Sequence, residues 1–188
     1  MKICCGCKNI HVNLRYNKQR QQAFTNDLAP GSTGATLTLA SGKKIRLGST
    51  GSGELAKEAG VTIKKTAAGD LIYELSNPAD STSGKMNTLS TTNGETYRVR
   101  LQDKTEIWLN AASQLRYPAT FRNEPERRVE LSGEAYFQVA TDKSHPFIVK
   151  TNRQQIKVLG THFNIKGYEN EPVKTTLVEG SVEVSNEA

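Results

Sequence analysis

The stretch RVELSGEAYFQVATD, residues 128–142, alternates apolar and polar side chains for more than ten positions around one glycine, Gly133. Its apolar residues share one parity and its polar residues the other, which is the period of a β-strand with one buried and one solvent-facing side. A glycine inside such a strand usually marks a bulge or the close approach of another backbone. We therefore predict a long strand that bends at Gly133.

Shorter strands are predicted on both sides of this stretch. Towards the N-terminus, residues 36–47 (TLTLASGKKIRL) and residues 61–75 (VTIKKTAAGDLIYEL) each read as a hairpin around a glycine-containing turn. Towards the C-terminus, the predicted strands are PFIVKT, QIKVLG, HFNIKGY and KTTLVEGSVEV. A short strand before them ends at Pro118, which we expect at a sheet edge or in a loop because proline has no backbone donor.

A pattern in the first hairpin recurs later in the chain. Leu37, Leu39, Ile45 and Leu47 are answered by Val99, Leu101, Ile107 and Leu109, and the offset is 62 residues in all four cases. This spacing predicts two equivalent hairpins, as in a sandwich built from two similar halves, although hairpin chemistry can also converge on one pattern.

Roughly a dozen short strands without an amphipathic helix predict an all-β fold, an antiparallel, jelly-roll-like β-sandwich. We expect one domain at residues 30–188, and a disordered or non-native segment at residues 1–29. Residues 48–60 (GSTGSGELAKEAG) lack the lysine and hydroxyl of a phosphate-binding loop, so we predict a flexible loop with about one helical turn. A polar loop is predicted at residues 76–85.

The charge of the chain is concentrated at its N-terminus. The formal net charge is +6, but five of the basic residues precede Asp27, and the remainder has 20 lysines and arginines against 19 aspartates and glutamates. These basic residues are scattered among acids, as on solvent-facing strand positions. A basic tail on a neutral body argues against nucleic-acid binding.

Metal-binding chemistry has few candidates. Cys4, Cys5 and Cys7 all lie in the first seven residues, so the remainder of the chain has no disulfide. Cys4, Cys7 and His11, with Cys5 as a fourth ligand, could be imagined around zinc, but adjacent cysteines strain the chelate and no second ligand pair follows. The other histidines, His145 and His162, lack metal-ligand spacing. We therefore expect no metal site and no cofactor.

Catalysis by paired carboxylates is also not indicated. Glu130 and Glu134 share a strand face but lie about 13 Å apart by strand rise, which exceeds the separation that glycosidases use. We interpret them as solvent-facing positions beside Arg127 and Arg128. A cupin-like enzyme would need a cluster of histidines that this chain does not supply. The prediction is a protein that is not an enzyme.

Four blocks in this order resemble the FecR family, regulators of extracytoplasmic-function sigma factors. The blocks are WLNAASQLRYP, ELSGEAYFQV, VLGTHFNI and TLVEGSVEV. The resemblance is dense from about Thr88 to Val184 and looser from Leu28 to Leu75, where GATLTLASGKKIRL resembles the start of the periplasmic domain in Bacteroidota members. The first 27 residues show no such resemblance.

The resemblance implies a mainly β periplasmic domain of an anti-sigma factor, without enzymatic activity. Its implied partners are the signalling domain of a TonB-dependent outer-membrane transporter and, through a cytoplasmic segment absent from this chain, a sigma factor. No stretch reaches the roughly 20 apolar residues that span a membrane. We therefore expect the inner-membrane anchor only in the full-length protein.

The conspicuous positions of these blocks are the candidates for family-motif or partner-contact roles. They are Trp108, Asn110, Tyr117, Pro118, Gly133, Glu134, Tyr136, Phe137, Gly160, Thr161, Phe163 and Gly180. Trp108 falls on the solvent-facing parity of its strand, where it is either an exposed contact or is covered by a second sheet. The alternative function is a carbohydrate-binding module, for which Tyr97, Trp108, Tyr117 and Tyr136 would have to line one open face.

Overall fold

The computed structural model describes residues 31–76 and 84–186, and within these ranges every regular element is a β-strand. The cysteine cluster, His11, the predicted N-terminal segment 1–29 and most of the predicted loop at residues 76–85 lie outside the described residues. The strands are β1 (Ser32–Thr33), β2 (Thr36–Thr38), β3 (Lys44–Arg46), β4 (Gly53–Glu58), β5 (Val61–Lys65), β6 (Leu71–Leu75), β7 (Met86–Ser90), β8 (Glu95–Arg100), β9 (Glu106–Leu109), β10 (Gln114–Pro118), β11 (Arg127–Gln138), β12 (Phe147–Lys150), β13 (Gln154–Val158), β14 (His162–Gly167), β15 (Lys174–Glu179) and β16 (Glu183–Asn186).

The hydrogen-bonded network of strands folds into two sheets that share β11. Sheet I runs in the order β3, β2, β7, β10, β11, β12, β13, β16, and sheet II in the order β4, β5, β6, β8, β9, β11, β14, β15. The short strand β1 pairs in parallel with β8. The predicted all-β sandwich-like fold is confirmed.

Strand β11 passes from one sheet to the other at Gly133. Its residues up to Ser132 pair with β10 and β12 of sheet I, whereas Gly133 and the residues after it pair with β9 and β14 of sheet II. Gly133 has a φ of 99°, and a Cβ added there would lie 2.7 Å from the Cα of Ser113. A side chain is therefore excluded both by backbone conformation and by space, and the predicted bend is confirmed.

The core lies between the inner faces of the two sheets. Phe137 of sheet II approaches Phe147 of sheet I with 6.3 Å between ring centroids, and it stacks on Phe163 at 5.1 Å. All three rings are fully buried. Along β11 the buried and more exposed positions alternate strictly, as the sequence pattern predicts.

Both predicted hairpins form, and so does the repeat. Leu37 lies opposite Ile45, and Val99 lies opposite Ile107, so the two hairpins have the same register at the 62-residue offset. The hairpin of residues 36–47 belongs to sheet I and its counterpart to sheet II. The hairpin of β5 and β6 also forms, and Leu71 pairs with Lys65 across its turn.

The prediction of a loop with a helical turn at residues 48–60 is wrong. Residues Gly53–Glu58 form strand β4, which pairs antiparallel with β5 along its whole length, with one register shift between Glu54 and Ala56. The sequence of β4 contains good helix formers, and pairing with the hairpin of β5 and β6 outweighs that local preference.

Two further expectations about the strands need correction. The sandwich is mixed, because β1–β8, β6–β8 and β11–β12 are parallel pairs. The chain leaves β11 in sheet II and returns to sheet I beside the start of the same strand, which makes β12 parallel to it. Pro118 does not lie at a sheet edge: β10 runs between β7 and β11, and Pro118 is its last residue, beyond the positions that pair with β11.

The C-terminal stretch KTTLVEGSVEV is interrupted at Gly180. Among the strands that the structure describes, its first part, β15, pairs only with β14 of sheet II, and its second part, β16, pairs only with β13 of sheet I. The Thr161 hydroxyl donates to the Ser181 carbonyl at 2.9 Å and holds the crossing in place. One short segment therefore forms the lateral edge of both sheets.

Candidate functional site

A straight row of side chains crosses the outer, solvent-facing side of sheet II. Arg98 lies opposite Trp108, Trp108 opposite Tyr136, Tyr136 opposite Asn164, and Asn164 opposite Thr176. We call these five residues the outer row. Directly opposed residues of antiparallel strands have neighbouring Cβ atoms on one face of the sheet, so the row presents one surface contributed by β8, β9, β11, β14 and β15.

The centre of the outer row consists of two aromatic rings and a cation. The rings of Trp108 and Tyr136 have centroids 5.5 Å apart, at an interplanar angle of 51°. The Arg98 guanidinium lies 4.9 Å from the centroid of the Trp108 ring. A guanidinium over an indole face is favoured by the negative potential of that face. Trp108 is half-buried between its two neighbours, and no second sheet from residues 31–76 or 84–186 covers it.

Arg98 is held in this position by two carboxylates. Its Nη2 lies 2.7 Å from Glu106 Oε2, and its Nη1 lies 3.4 Å from Asp70 Oδ2. The hydrogen bond that Arg98 donates to Glu106, with the charges of Glu106 and Asp70, raises the pKa of Arg98 above its already high ordinary value. The cation is thus permanently charged and held in a fixed position, which lowers the entropy it would lose on binding a partner.

Glu134 organises the polar side of the outer row. Its Oε1 accepts a hydrogen bond from Asn164 Nδ2 at 3.0 Å, and its Oε2 accepts one from Asn110 Nδ2 at 3.2 Å. One carboxylate thereby orients amides from β14 and from the turn after β9. The aromatic centre is bordered by hydrogen-bonding groups whose directions are set in advance.

Chemically, this surface is suited to binding. Tryptophan, tyrosine and arginine are the residue types enriched in protein-interface hot spots. In the two described ranges of the chain, no group of three or more His, Cys, Asp or Glu side chains is arranged to hold a metal ion. His162 lies in the neighbouring row, where its Nδ1 is 3.2 Å from Glu179 Oε2. His145 is exposed in a loop, 2.9 Å from Asp142.

Comparison with known proteins assigns the chain to a family. The family model FecR, described as FecR protein, matches residues 87–183, which is just over half of the 188 residues and includes the whole outer row. The chain belongs to the FecR family. The resemblance carried by the four sequence blocks is therefore confirmed.

Two crystal structures of a candidate anti-sigma factor from Parabacteroides distasonis are similar to this FecR-family chain. The first is 36% identical with a TM-score of 0.46 and covers 53% of this chain and 51% of its own. The second is 37% identical with a TM-score of 0.45 and covers 52% and 50%. The chain thus spans about half the length of these solved relatives. No curated protein matches it significantly. Within the described part of this FecR-family chain, there is no helix that could cross a membrane.

The candidate positions of the FecR-family chain divide into three groups. Trp108, Asn110, Glu134 and Tyr136 come together at the outer row and its polar side. Gly133, Phe137, Thr161 and Phe163 are buried, and Pro118, Gly160 and Gly180 lie at strand ends or in connections. A Cβ on Gly160 would lie 2.7 Å from the Cα of Thr141, so this glycine permits a close approach of two connections. The motif is therefore partly a surface and partly the packing beneath it.

Tyr117 is an interior residue, so it is not a contact position in this conformation. Its ring is fully buried, and its hydroxyl lies 2.9 Å from that of Tyr73, which also receives a hydrogen bond from Asn87 Nδ2 at 3.2 Å. Burial raises the pKa of Tyr117 well above its ordinary value. The hydrogen bond between Tyr73 and Tyr117 connects β6 of sheet II to β10 of sheet I through the core.

Arg127 is a structural residue that sequence reasoning placed wrongly at the surface. Its side chain is buried: Nη1 donates to Asp103 Oδ2 at 2.8 Å and to the Ala140 carbonyl at 2.9 Å, and Nε donates to the His145 carbonyl at 2.8 Å. The guanidinium also lies over the Phe147 ring. The alternation of the strand could have predicted this burial, because Arg127 falls on the same side of β11 as the buried residues.

A cavity of about 700 Å³ lies at this end of the sandwich. Its lining mixes acids and bases, including Asp103, Asp142, Arg122, Arg127 and His145. The two aspartates already accept hydrogen bonds from neighbouring groups, Asp103 from Arg127 and Asp142 from Ser144 and His145. The cavity lacks one dominant charge, so its chemistry does not single out a ligand.

Proposed function

We propose that this FecR-family chain is the periplasmic sensor domain of a sigma-factor regulator. It binds the signalling domain of a TonB-dependent outer-membrane transporter, and a cytoplasmic part of the full-length protein passes the signal to an extracytoplasmic-function sigma factor. Residues 30–188 act as one domain in this proposal. The protein performs no catalysis.

The observation that carries the proposal is the coincidence of the family match with the outer row. The matched residues 87–183 contain every residue of the row. An arginine, a tryptophan and a tyrosine stand side by side on one solvent-facing surface, and oriented amides border them. A surface of this composition fits contact with a folded protein.

The position of β11 offers a route from the contact to the rest of the domain. Tyr136 of the outer row and Val129 of the sheet I core belong to the same strand, on either side of the bend at Gly133. A partner seated on Tyr136 therefore touches a strand that both sheets share. Signalling requires that the partner bind one conformation of the domain more tightly than another.

The four aromatic residues of the carbohydrate-binding alternative do not lie together on one open face. Tyr97 and Tyr117 are interior, with 3% and 0% exposure. Of the two remaining rings, Trp108 has its face covered by Arg98 and its side occupied by Tyr136. A sugar-binding platform needs several open aromatic faces on one surface, and of the four rings Trp108 and Tyr136 alone lie on the outer side of sheet II.

A binding experiment with matched variants tests the proposal. The domain is immobilised and exposed to each signalling domain of the TonB-dependent transporters of the same organism. We expect one to bind, and the Trp108→Ala/Tyr136→Ala variant to lose that binding at least tenfold. The control is Arg116→Ala, an exposed arginine on the outer side of sheet I that pairs with Glu130.

Two outcomes would reject the proposal. If the folded wild-type domain binds none of these signalling domains, the proposed partner is wrong. If the double variant binds as tightly as the wild type, the outer row is not the binding site. Circular dichroism of all three proteins establishes that the variants are folded.

A further inference from the structure

The two lateral edges of the sandwich are built differently. On one side, sheet I ends in β3, which has only three residues and carries Lys44 and Arg46, and sheet II ends in β4, whose register is shifted near Leu55. Short strands, charges and irregularities are the usual means by which proteins prevent an edge strand from pairing with another chain. This side is protected against such pairing.

The opposite side, formed by β15 and β16, exposes apolar residues. Leu177 is 45% exposed, Val178 63% and Val184 45%. Leu177 lies opposite Phe163, and Val184 lies opposite Ile156, and both of those partners are fully buried. Leu177 and Val184 therefore face the interior layer between the sheets, at the point where that layer opens to solvent. We call these two residues the open seam.

We propose that β15 pairs antiparallel with β15 of a second copy of this chain. The two-fold axis passes beside Thr176, so that Thr176 lies opposite its own counterpart and Thr175 lies opposite Leu177 of the second copy. Such a two-fold contact is self-complementary, and it closes after two subunits. It joins the sheets II of both copies and brings their open seams together.

The charges at the ends of β15 fit this arrangement. The pairing of β14 with β15 shifts in register between His162 and Phe163, which makes Val178 an extra residue of β15 and places Glu179 opposite His162, on the same outer side as Lys174. With the axis at Thr176, Lys174 of each copy lies opposite Glu179 of the other. The dimer therefore contains two cross-strand pairs of opposite charge, whereas a shift of register would lose both.

The arrangement has a consequence for the outer row. Thr176 is the last residue of the row, so pairing at Thr176 joins the rows of the two copies end to end into one continuous surface. Each dimer then presents two tryptophan–tyrosine centres related by the axis. The dimer itself does not depend on the proposed partner.

Charge reversal with a compensating exchange tests the pairing. The full chain is measured by sedimentation equilibrium over a range of concentrations, together with Lys174→Glu, Glu179→Lys and the double exchange. We expect a dimer whose dissociation constant rises about tenfold or more in each single variant, since like charges directly opposite are destabilising and occur twice. The double exchange should restore the wild-type constant. The control is Lys44→Glu on the opposite edge, with no change expected.

A cross-linking experiment tests the axis. Cα atoms directly opposite in an antiparallel pair lie roughly 4.5 to 5.5 Å apart, within the range that a disulfide bridges. In a chain whose three native cysteines are replaced by serine, Thr176→Cys should oxidise to a linked dimer much faster than Lys44→Cys. A wild-type chain that is monomeric at all concentrations, single reversals without effect, a double exchange that stays weak, or equal oxidation rates would each overturn the proposal.

Discussion

Residues 36–47 and residues 98–109 form the same hairpin in two different sheets. In both, the first strand turns through an identical pair of backbone hydrogen bonds: Leu39 N to Lys43 O and Gly42 N to Leu39 O in one, Leu101 N to Thr105 O and Lys104 N to Leu101 O in the other. The surroundings differ. Strand β3 is the edge of sheet I, whereas β9 lies between β8 and β11 in sheet II.

The difference shows which properties are local and which are not. Ile107 is fully buried, while its counterpart Ile45 is half-buried. On the outer side, the pair Thr36 and Arg46 of the first hairpin corresponds to Arg98 and Trp108 of the second. Hairpin shape follows from the local pattern, whereas burial and surface chemistry follow from the neighbouring strands. The predictions below test this distinction, beginning with the largest effect.

Truncation of the equivalent isoleucines should have unequal costs. Ile107→Ala leaves a cavity in the core and should lower the free energy of unfolding by about 3 kcal/mol, whereas Ile45→Ala at the edge should lower it by about 1 kcal/mol. Urea denaturation of both variants measures the difference. Equal losses would mean that the edge hairpin is packed as tightly as the central one.

An ion pair between the two hairpins should make stability depend on pH. Glu95 at the start of β8 is buried and pairs with Arg46 of β3, and its Oε2 also accepts a hydrogen bond from Thr92 N at 3.1 Å. The hydrogen bond with Arg46 is the main cause that lowers the pKa of Glu95 to about 2. Because the folded-state pKa is depressed, the contribution is complete above the ordinary pKa near 4.5 and is lost as the pH falls towards 2.

The measurement is urea denaturation of wild type and Glu95→Gln at pH 7 and at pH 2.5. Since Arg46 is 45% exposed and solvent weakens the pair, we expect wild type to exceed the variant by about 1 to 2 kcal/mol at pH 7. The gap should shrink at pH 2.5. A gap that is independent of pH would show that the carboxylate charge does not link the hairpins.

The two turns should respond in opposite directions to changes at equivalent positions. Gly42 has a φ of 85° and Lys104 a φ of 72°, and a Cβ on Gly42 would meet no atom within 4 Å. Gly42→Ala should therefore cost about 1 kcal/mol through backbone strain alone, whereas Lys104→Gly should be neutral or stabilise by up to about 1 kcal/mol. Thermal denaturation compares them, and a destabilising Lys104→Gly would indicate that the lysine side chain contributes contacts of its own.

The sequence was sufficient for the parts of the fold that local pattern controls. The alternation around Gly133, the 62-residue offset and the hairpin turns all have counterparts in the structure, since each depends on strand period and turn geometry. Strand β4 was missed because its residues favour a helix locally and become a strand only through pairing with β5. The parallel pairs were missed because they depend on how the chain returns between sheets.

The sequence predicted most members of the candidate site, but it did not predict how they are arranged. Trp108, Asn110, Glu134 and Tyr136 were all named from the motifs, but their meeting on one surface depends on cross-strand register, which a single sequence does not specify. Arg98, which covers Trp108, carries no motif signal. Tyr117 looked like a surface aromatic because nothing in the sequence indicated its buried partner Tyr73.

The most direct test of the outer row as the contact site uses the single tryptophan of the chain. Trp108 is the only tryptophan in the sequence, so a ¹⁵N-labelled domain gives one indole N–H signal that reports on the centre of the row. Titration with the unlabelled transporter signalling domain should shift or broaden this signal, together with the backbone amides of β9 and the second half of β11, and leave those of residues 36–47 unchanged. An indole signal that stays in place while the partner binds would contradict the account.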